Sequence, residues 1–134
     1  MTVKAILSEK GRSVVTQKPD ALLSEICETL AGHKIGAVVL TSADGAIAGI
    51  LSERDVVRAL AHEGSGALAQ KAASYMSRHV VTCSEEETID QVMHKMTAGR
   101  FRHMPVVKAG KLIGVVSIGD VVKHHVAEVE MEAS

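Results

Sequence analysis

The hydrophobic and polar positions of the chain follow one pattern twice. In the first half, apolar residues three and four apart predict an amphipathic helix from Pro19 to Leu30, and two Val- and Ile-rich runs predict buried strands at 37–40 and 47–51. The rest of this half is predicted to be a short strand at 14–16 and a helix that begins after Ser52. The second half is predicted to contain a strand at 80–82, a helix at 87–98, strands at 104–107 and 112–116, and a helix from Ile118. Each half therefore runs strand, helix, strand, strand, helix.

The residues themselves also repeat. The segment 49–57 returns as 114–122, shifted by 65 positions, and the segment 14–16 returns as 80–82, shifted by 66 positions. A whole unit has therefore been duplicated. The predicted division is a first repeat at 1–66, which begins with an N-terminal helix, and a second repeat at 67–127, which begins with a connecting helix at 67–76. An acidic tail at 128–134 is expected to fray.

Composition restricts the classes of partner. The chain has 134 residues and is 46% hydrophobic, with one Tyr, one Phe and no Trp, so it lacks the aromatic platforms on which single-stranded nucleic acid stacks. Its formal net charge is −1 and it has no run of Lys or Arg, which argues against duplex DNA and anionic membranes. No apolar stretch approaches the ~20 residues that span a bilayer, and the N-terminus does not resemble a signal peptide. Cys27 falls on the apolar face of a predicted helix, so we expect a core thiol and a reducing cytoplasm.

Each repeat places a Ser and an Asp three residues apart, where a buried strand is followed by a helix. The pairs are Ser52 with Asp55 and Ser117 with Asp120. The same spacing is typical of a capping box, which only closes the start of a helix. Repetition in one context favours a ligand site, because a helix N-terminus offers free amides and a positive dipole end. A carboxylate can accept both hydrogens of a ribose cis-diol, aliphatic strands can hold a flat uncharged base, and phosphate would face the helix start and nearby cations.

On these segments the repeat resembles the cystathionine-β-synthase (CBS) domain, and the chain from Val14 to Lys123 resembles a stand-alone tandem CBS pair. The resemblance is carried by 35–39 followed by 49–55, and by 100–107 followed by 114–120. It implies an α+β fold of two pseudo-symmetric repeats packed into one module, a regulatory role without catalysis, and a homodimer. It also implies binding of an adenine nucleotide, with AMP expected first and ADP, ATP, NAD or S-adenosylmethionine as alternatives.

In the second repeat the resemblance assigns the ribose hydroxyls to Asp120, with help from Ser117. Residues 80–82 would border one side of the base, and residues 104–105 would border the other. The full set for this cleft is Val80, Val81, Thr82, Arg102, His103, Met104, Pro105, Ser117, Ile118 and Asp120.

In the first repeat the resemblance gives the ribose role to Asp55 and Ser52. The full set for this cleft is Thr16, Ile35, Gly36, Ala37, Val38, Ser52, Arg54 and Asp55. Because its residues are small, this more open cleft is the one we expect to suit a larger ligand such as NAD.

The expected phosphate contacts differ between the two copies. By resemblance, Arg102 and His103 are the candidates in the second repeat, and a solvated strand edge is the alternative interpretation of Arg102. The 66-residue shift places Gly36 and Ala37 at these positions in the first repeat, so that copy lacks a local cation. We hypothesise that Arg54, at the start of the helix, serves phosphate in one of the two clefts.

The remaining polar residues do not form a recognisable catalytic or metal set. His124 and His125 are adjacent and would point about 100° apart on a helix, and the His spacings do not favour a metal site. With no nucleophile–base–acid set either, the protein is not expected to be an enzyme. Two classes of function remain: a ligand sensor that acts in trans on an unidentified protein, and an interaction scaffold with vestigial clefts, in which Ser52 and Ser117 are only helix caps.

Overall fold

The computed structural model describes residues 1–133 and has the α+β architecture predicted from the repeats. Its helices are α1 (Val3–Lys10), α2 (Leu23–His33), α3 (Glu53–Glu63), α4 (Ile89–Gly99) and α5 (Ile118–Ala133). Its strands are β1 (Thr16–Gln17), β2 (Ala37–Thr41), β3 (Ile47–Ser52), β4 (His103–Lys108) and β5 (Lys111–Ser117). Two short 3-10 helices occupy Gly64–Ala69 and Ala72–Ser74. The described residues include no helix that is both long and apolar enough to cross a bilayer.

The chain folds into two compact units, and the N-terminal segment belongs to the later one. The first-repeat unit comprises residues 15–80, and the second-repeat unit comprises residues 1–14 together with the chain from 81 onward. The predicted division placed the N-terminal helix with the first repeat and 67–80 with the second. The structure differs because α1 buries its apolar face in the second-repeat core, whereas Ala67, Ala72 and Met76 pack into the first-repeat core.

The first-repeat unit is built on a three-stranded sheet in the order β1-β2-β3. β1 pairs parallel to β2, and β2 pairs antiparallel to β3. Every residue of β2 is buried, as its unbroken run of aliphatic residues predicted. The helix α2 adds its apolar face to the core through Leu23, Ile26 and Leu30, which lie three and four residues apart.

The second-repeat unit has an antiparallel β4–β5 pair. Cys83 forms a parallel bridge to Val106 of β4, the position that a first strand would take. The helix α1 closes the core with Val3, Ile6 and Leu7, each at most 1% exposed. Its first turn is fixed by backbone hydrogen bonds, since the Val3 N–H donates to the Glu87 carbonyl at 2.9 Å and the Lys4 N–H donates to the Glu85 carbonyl at 3.0 Å.

Three local predictions were wrong. Segment 67–76 was predicted as a connecting α-helix but consists largely of 3-10 turns, since Gly64 and Gly66 at its start disfavour α-helix. Residues 80–82 are not a regular strand, and pairing begins only at Cys83. The acidic tail does not fray at residue 128, because α5 continues to Ala133. Ser134 lies outside the described residues.

A glycine in each repeat allows another segment to approach a strand closely. A Cβ atom at Gly49 of β3 would lie 2.6 Å from the Met76 Sδ and 2.8 Å from the Ser77 carbonyl oxygen. A Cβ atom at Gly114 of β5 would lie 2.7 Å from the Leu7 Cδ2. The Gly that precedes each Ser–Asp pair therefore leaves room for the segment that packs over the strand.

Candidate functional site

In the first repeat, the Ser–Asp pair joins the end of β3 to the start of α3. The Ser52 N–H donates to the Asp55 Oδ2 at 2.8 Å, and the Ser52 hydroxyl lies 3.1 Å from the same oxygen. The Asp55 N–H donates to the Ser52 Oγ at 3.4 Å, which completes a capping box. The other carboxylate oxygen, Oδ1, lies 3.9 Å from Arg58, whose side chain is 70% exposed. The pair is therefore a helix cap that holds a half-buried carboxylate at the strand–helix junction.

The second repeat has the same junction between β5 and α5. The Ser117 N–H donates to the Asp120 Oδ2 at 2.9 Å, and the Asp120 N–H donates to the Ser117 Oγ at 3.2 Å. One contact has no counterpart in the first repeat: the Lys10 ammonium donates to the Asp120 Oδ2 at 2.6 Å and to the Val115 carbonyl at 2.8 Å. Burial raises the pKa of Asp120, but the hydrogen bonds from Lys10 and Ser117 outweigh it, so the pKa lies below its ordinary value.

The partner strand of each antiparallel pair, β2 in the first repeat and β4 in the second, brings further predicted residues next to the Ser–Asp junction. Ala37 pairs with Ser52, and His103 pairs with Ser117. The backbone closes both junctions in the same way, since the Glu53 N–H donates to the Gly36 carbonyl at 3.0 Å and the Ile118 N–H donates to the Arg102 carbonyl at 2.8 Å. The equivalence of 36–37 with 102–103 under the 66-residue shift is thus a structural equivalence.

The remaining candidates of the first-repeat cleft are distributed between surface and core. Thr16 is exposed and pairs with Val39, Ile35 is half-buried, and the Val38 side chain is in the core at 1% exposure. Arg54 is exposed at the start of α3. Val38 can therefore offer a ligand its backbone but not its side chain in this conformation.

The second-repeat candidates divide in the same way. Met104 and Pro105 are buried, and Met104 belongs to the core. Thr82 is half-buried, and its carbonyl accepts a hydrogen bond from the Lys95 Nζ at 3.1 Å. Val80 belongs to the first-repeat unit. Val81 and Ile118 are half-buried and pack against the second-repeat core, and the Arg102 side chain is exposed.

Sequence reasoning missed Lys10, the residue in closest contact with Asp120. Lys10 lies 110 positions earlier in the chain, and nothing in its local sequence marks it as a partner of the second repeat.

Two open cavities lie away from the Ser–Asp junctions. One of about 510 Å³ is lined by Lys4, Arg12, Glu85, Lys108 and Ile113. The other, of about 490 Å³, is lined by Met1, Thr88, Ile89, Asp90, Glu128, Met131 and Glu132. Glu85 is buried in the first of them and is paired with Arg12 at 2.6 Å. We place the candidate site at the junctions because the convergent polar groups of the repeat lie there.

A cluster on α4 and α5 was not expected from the His spacings. Ligand atoms of Asp90, His125 and Glu128 lie within 4.8 Å of one another. The α-amino group of Met1 already pairs with the Glu128 carboxylate at 2.6 Å, and the His125 Nδ1 lies 3.8 Å from the Asp90 carboxylate. The cluster therefore acts as a set of polar contacts that holds the N-terminus and α4 against α5.

The two cysteines are both free thiols. Burial raises the pKa of Cys83 to about 12, and burial also raises the pKa of the half-buried Cys27. Both side chains are neutral thiols at neutral pH, which does not favour either one as a nucleophile.

The comparison with known families identifies the repeat. Residues 4–62 and 72–127 match the family model of the CBS domain. The chain therefore belongs to the CBS domain family and carries two copies of the domain, as the sequence resemblance predicted. CBS domain pairs are generally regulatory, non-catalytic modules.

Three solved structures are similar to this chain over almost its whole length. The CBS-domain containing protein ATU1752 from Agrobacterium tumefaciens is 50% identical, with a TM-score of 0.91 and coverage of 93% of this chain and 99% of that one. The CBS domain protein PAE2072 from Pyrobaculum aerophilum, complexed with AMP, is 26% identical, with a TM-score of 0.85 and 100% coverage of both chains. The CBS domain pair of protein MJ0100, in complex with 5′-methylthioadenosine and S-adenosyl-L-methionine, is 25% identical, with a TM-score of 0.85 and coverage of 96% and 98%.

The curated relatives are longer proteins. The chain spans between 41% and 66% of the length of the first four that it matches. Their shared part with this chain is therefore the CBS pair.

Proposed function

We propose that this protein is an adenine-nucleotide-binding regulatory module that acts on another, unidentified protein in the cytoplasm. AMP is the preferred ligand in this proposal, and ADP, ATP, NAD and S-adenosylmethionine are the alternatives. The observation that carries it is the pair of equivalent strand–helix junctions, each with a half-buried Asp held by a Ser. The relatives solved with AMP and with S-adenosyl-L-methionine support the ligand class.

In this proposal Asp55 and Asp120 accept hydrogen bonds from the ribose hydroxyls. Each carboxylate keeps its position through the Ser N–H, at 2.8 Å in the first repeat and 2.9 Å in the second. The backbone at 36–37 and 102–103 lines the same junctions and would read the edge of the base. The exposed guanidinium groups of Arg54 and Arg102 are the proposed phosphate contacts.

Thermal unfolding in the presence of AMP, ADP, ATP, NAD, S-adenosylmethionine and GMP tests the proposal. A ligand at about 100 times its dissociation constant adds ~2.7 kcal/mol to the free energy of unfolding, which raises the midpoint by several degrees. We expect a rise with adenine ligands and none with GMP. A midpoint that stays constant with every adenine ligand would contradict the proposal.

A matched variant separates ligand binding from helix capping. Asp120→Ala removes an acceptor at the third position of α5, and Gln91→Ala removes the equivalent acceptor of the capping box of α4, which has no proposed ligand role. Gln91→Ala should lose about 1 kcal/mol of stability. Asp120→Ala should lose more, because it also removes the 2.6 Å ion pair with Lys10. Only Asp120→Ala should also lose nucleotide binding to its own repeat.

The alternative function is a protein-interaction scaffold with vestigial clefts. The observation that favours it is that both Ser–Asp pairs already serve as complete capping boxes, as Thr88 and Gln91 do on α4. In a scaffold, Asp120→Ala and Gln91→Ala would behave alike in every assay with nucleotide.

We also propose that the protein forms a homodimer. Val122, Val126 and Val129 form one stripe along α5 and are 47%, 48% and 49% exposed. Three half-exposed valines spaced four and three residues apart are the pattern by which one helix packs against another. Because the stripe is self-complementary, a second copy of the chain is its simplest partner.

A further inference from the structure

The two ribose-binding carboxylates of the proposed function have different ionic environments. The Asp120 Oδ2 is 2.6 Å from the Lys10 ammonium, and the two side chains are only 26% and 40% exposed. The closest recorded cation of Asp55 is Arg58, at 3.9 Å and 70% exposed. The first contact is a charge-assisted hydrogen bond, whereas the second is a solvated pair of little strength.

Lys10 is held at Asp120 by the packing of α1. Lys10 is the last residue of α1, and the Gly11 N–H closes the helix on the Leu7 carbonyl at 2.8 Å. Val3, Ile6 and Leu7 anchor the same helix in the core. Leu7, one helical turn before Lys10, is fully buried. The packing of α1 therefore fixes the backbone from which the Lys10 side chain reaches Asp120.

The first repeat has no counterpart of this ammonium. Met76 packs over Gly49 of β3 as Leu7 packs over Gly114 of β5, so Met76 is the structural counterpart of Leu7 and not of Lys10. Both covering segments bring an apolar side chain to the glycine, and the segment that covers β5 also brings the Lys10 ammonium to Asp120.

We propose that Lys10 competes with the ribose of the ligand for Asp120, so that the first repeat binds adenosine more tightly and fills first. The inference rests on the proposed function, because it takes Asp120 as the ribose acceptor. A ribose that donates one hydroxyl to each carboxylate oxygen needs a lone pair of the Asp120 Oδ2, and the hydrogen bonds from Lys10 and the Ser117 N–H now use both of them. On Asp55 the corresponding place is held by the neutral Ser52 hydroxyl, which can rotate away. Binding to the second repeat then requires the Lys10 ammonium to leave Asp120 and the Val115 carbonyl, whereas Asp55 presents no such partner.

Adenosine binding measured by calorimetry tests this competition. Adenosine carries no phosphate, so any attraction between Lys10 and a nucleotide phosphate is removed from the measurement. The background variant is Asp55→Asn, which disables the proposed ribose acceptor of the first repeat and leaves the second. In this background, Lys10→Met removes the ammonium, keeps an unbranched side chain of similar length and should raise adenosine affinity at least fivefold.

Salt and two further variants make the test specific. Added salt screens an ion pair, so it should raise adenosine affinity when Lys10 is present and leave it constant in Lys10→Met. Lys10→Arg keeps the charge and should keep the weak binding. Lys123→Met removes the 2.7 Å pair between α5 and Glu9 of α1 and leaves the hydrogen bonds of Asp120 in place, and it should bind as the background does. An equal gain in Lys123→Met would mean that loosening α1 is the cause, and would overturn the proposal.

The failure of this proposal differs from the failure of the proposed function. If Lys10→Met binds adenosine as the background does, or more weakly, competition by Lys10 is disproved while nucleotide binding stands. If neither the wild type nor any variant binds adenosine or AMP, both are disproved. Carboxyl NMR of Asp120 adds a readout without ligand: the pKa of Asp120 should rise in Lys10→Met, and an unchanged pKa would show that the ion pair does not exist in solution.

Discussion

At the scale of single residues, the proposed function gives the Asp in each repeat a second role beside helix capping. Asp55 and Asp120 both close a helix start through a Ser N–H, and a ligand would use the same carboxylates. A helix cap needs only one carboxylate oxygen, so the other remains available for a ribose hydroxyl. Because the same Ser–Asp spacing serves a helix cap, one capping box is a weak signal of a ligand site. Its repetition at two equivalent junctions is a stronger signal.

The depressed pKa of Asp120 predicts how stability depends on pH. An unfolded Asp has a pKa of about 3.9, and the folded value lies below it because Lys10 and Ser117 outweigh the effect of burial. The stabilisation from Asp120 is therefore complete above about pH 5 and is lost as the pH falls through the folded pKa. Urea unfolding at a series of pH values should show a smaller loss of unfolding free energy on acidification for Asp120→Asn than for the wild type. Parallel curves for the two proteins would contradict this prediction.

At the scale of elements, apolar spacing predicted most of the helices and strands, but not the 3-10 turns at 67–76, the irregular segment at 80–82 or the core in which each element packs. The helices α2 and α4 were recognisable because one face of each is apolar, and β2 was recognisable because its aliphatic run is unbroken. The sequence also predicted α1 but could not assign it to the second repeat. An apolar helix face indicates that the helix packs against a core, but it does not indicate which core. The local sequence was therefore enough to predict the Ser–Asp junctions. The contact between Lys10 and Asp120 depends on the packing of α1 and is seen only in the structure.

The two close-approach glycines should respond differently to a methyl group. Gly49→Ala places a carbon 2.8 Å from the Ser77 carbonyl, which is backbone, and 2.6 Å from the Met76 Sδ. Gly114→Ala meets only the end of the Leu7 side chain, which can rotate away. We expect a loss of about 1–3 kcal/mol for Gly49→Ala and less than half of that for Gly114→Ala in urea unfolding.

A glycine with open surroundings provides the control for this comparison. Gly32 lies in the exposed part of α2, and a Cβ atom there would meet nothing within 4 Å. Gly32→Ala should stabilise the protein by up to about 1 kcal/mol through helix propensity. Equal losses for Gly49→Ala and Gly114→Ala would show that the segment around Ser77 yields as readily as the side chain of Leu7.

At the scale of the whole molecule, the apolar stripe of α5 determines the assembly that we expect. Val126→Lys places an ammonium in the middle of a stripe flanked by Val122 and Val129, and burying an unpaired charge there costs several kcal/mol. In sedimentation velocity the wild type should sediment as a dimer, and Val126→Lys should weaken the dimer by about 100-fold or more. Met131→Lys adds the same ammonium at an exposed position on the opposite side of α5 and should remain a dimer. A wild type that is monomeric at high concentration, or a Val126→Lys variant that stays dimeric, would show that the stripe is not the interface between copies.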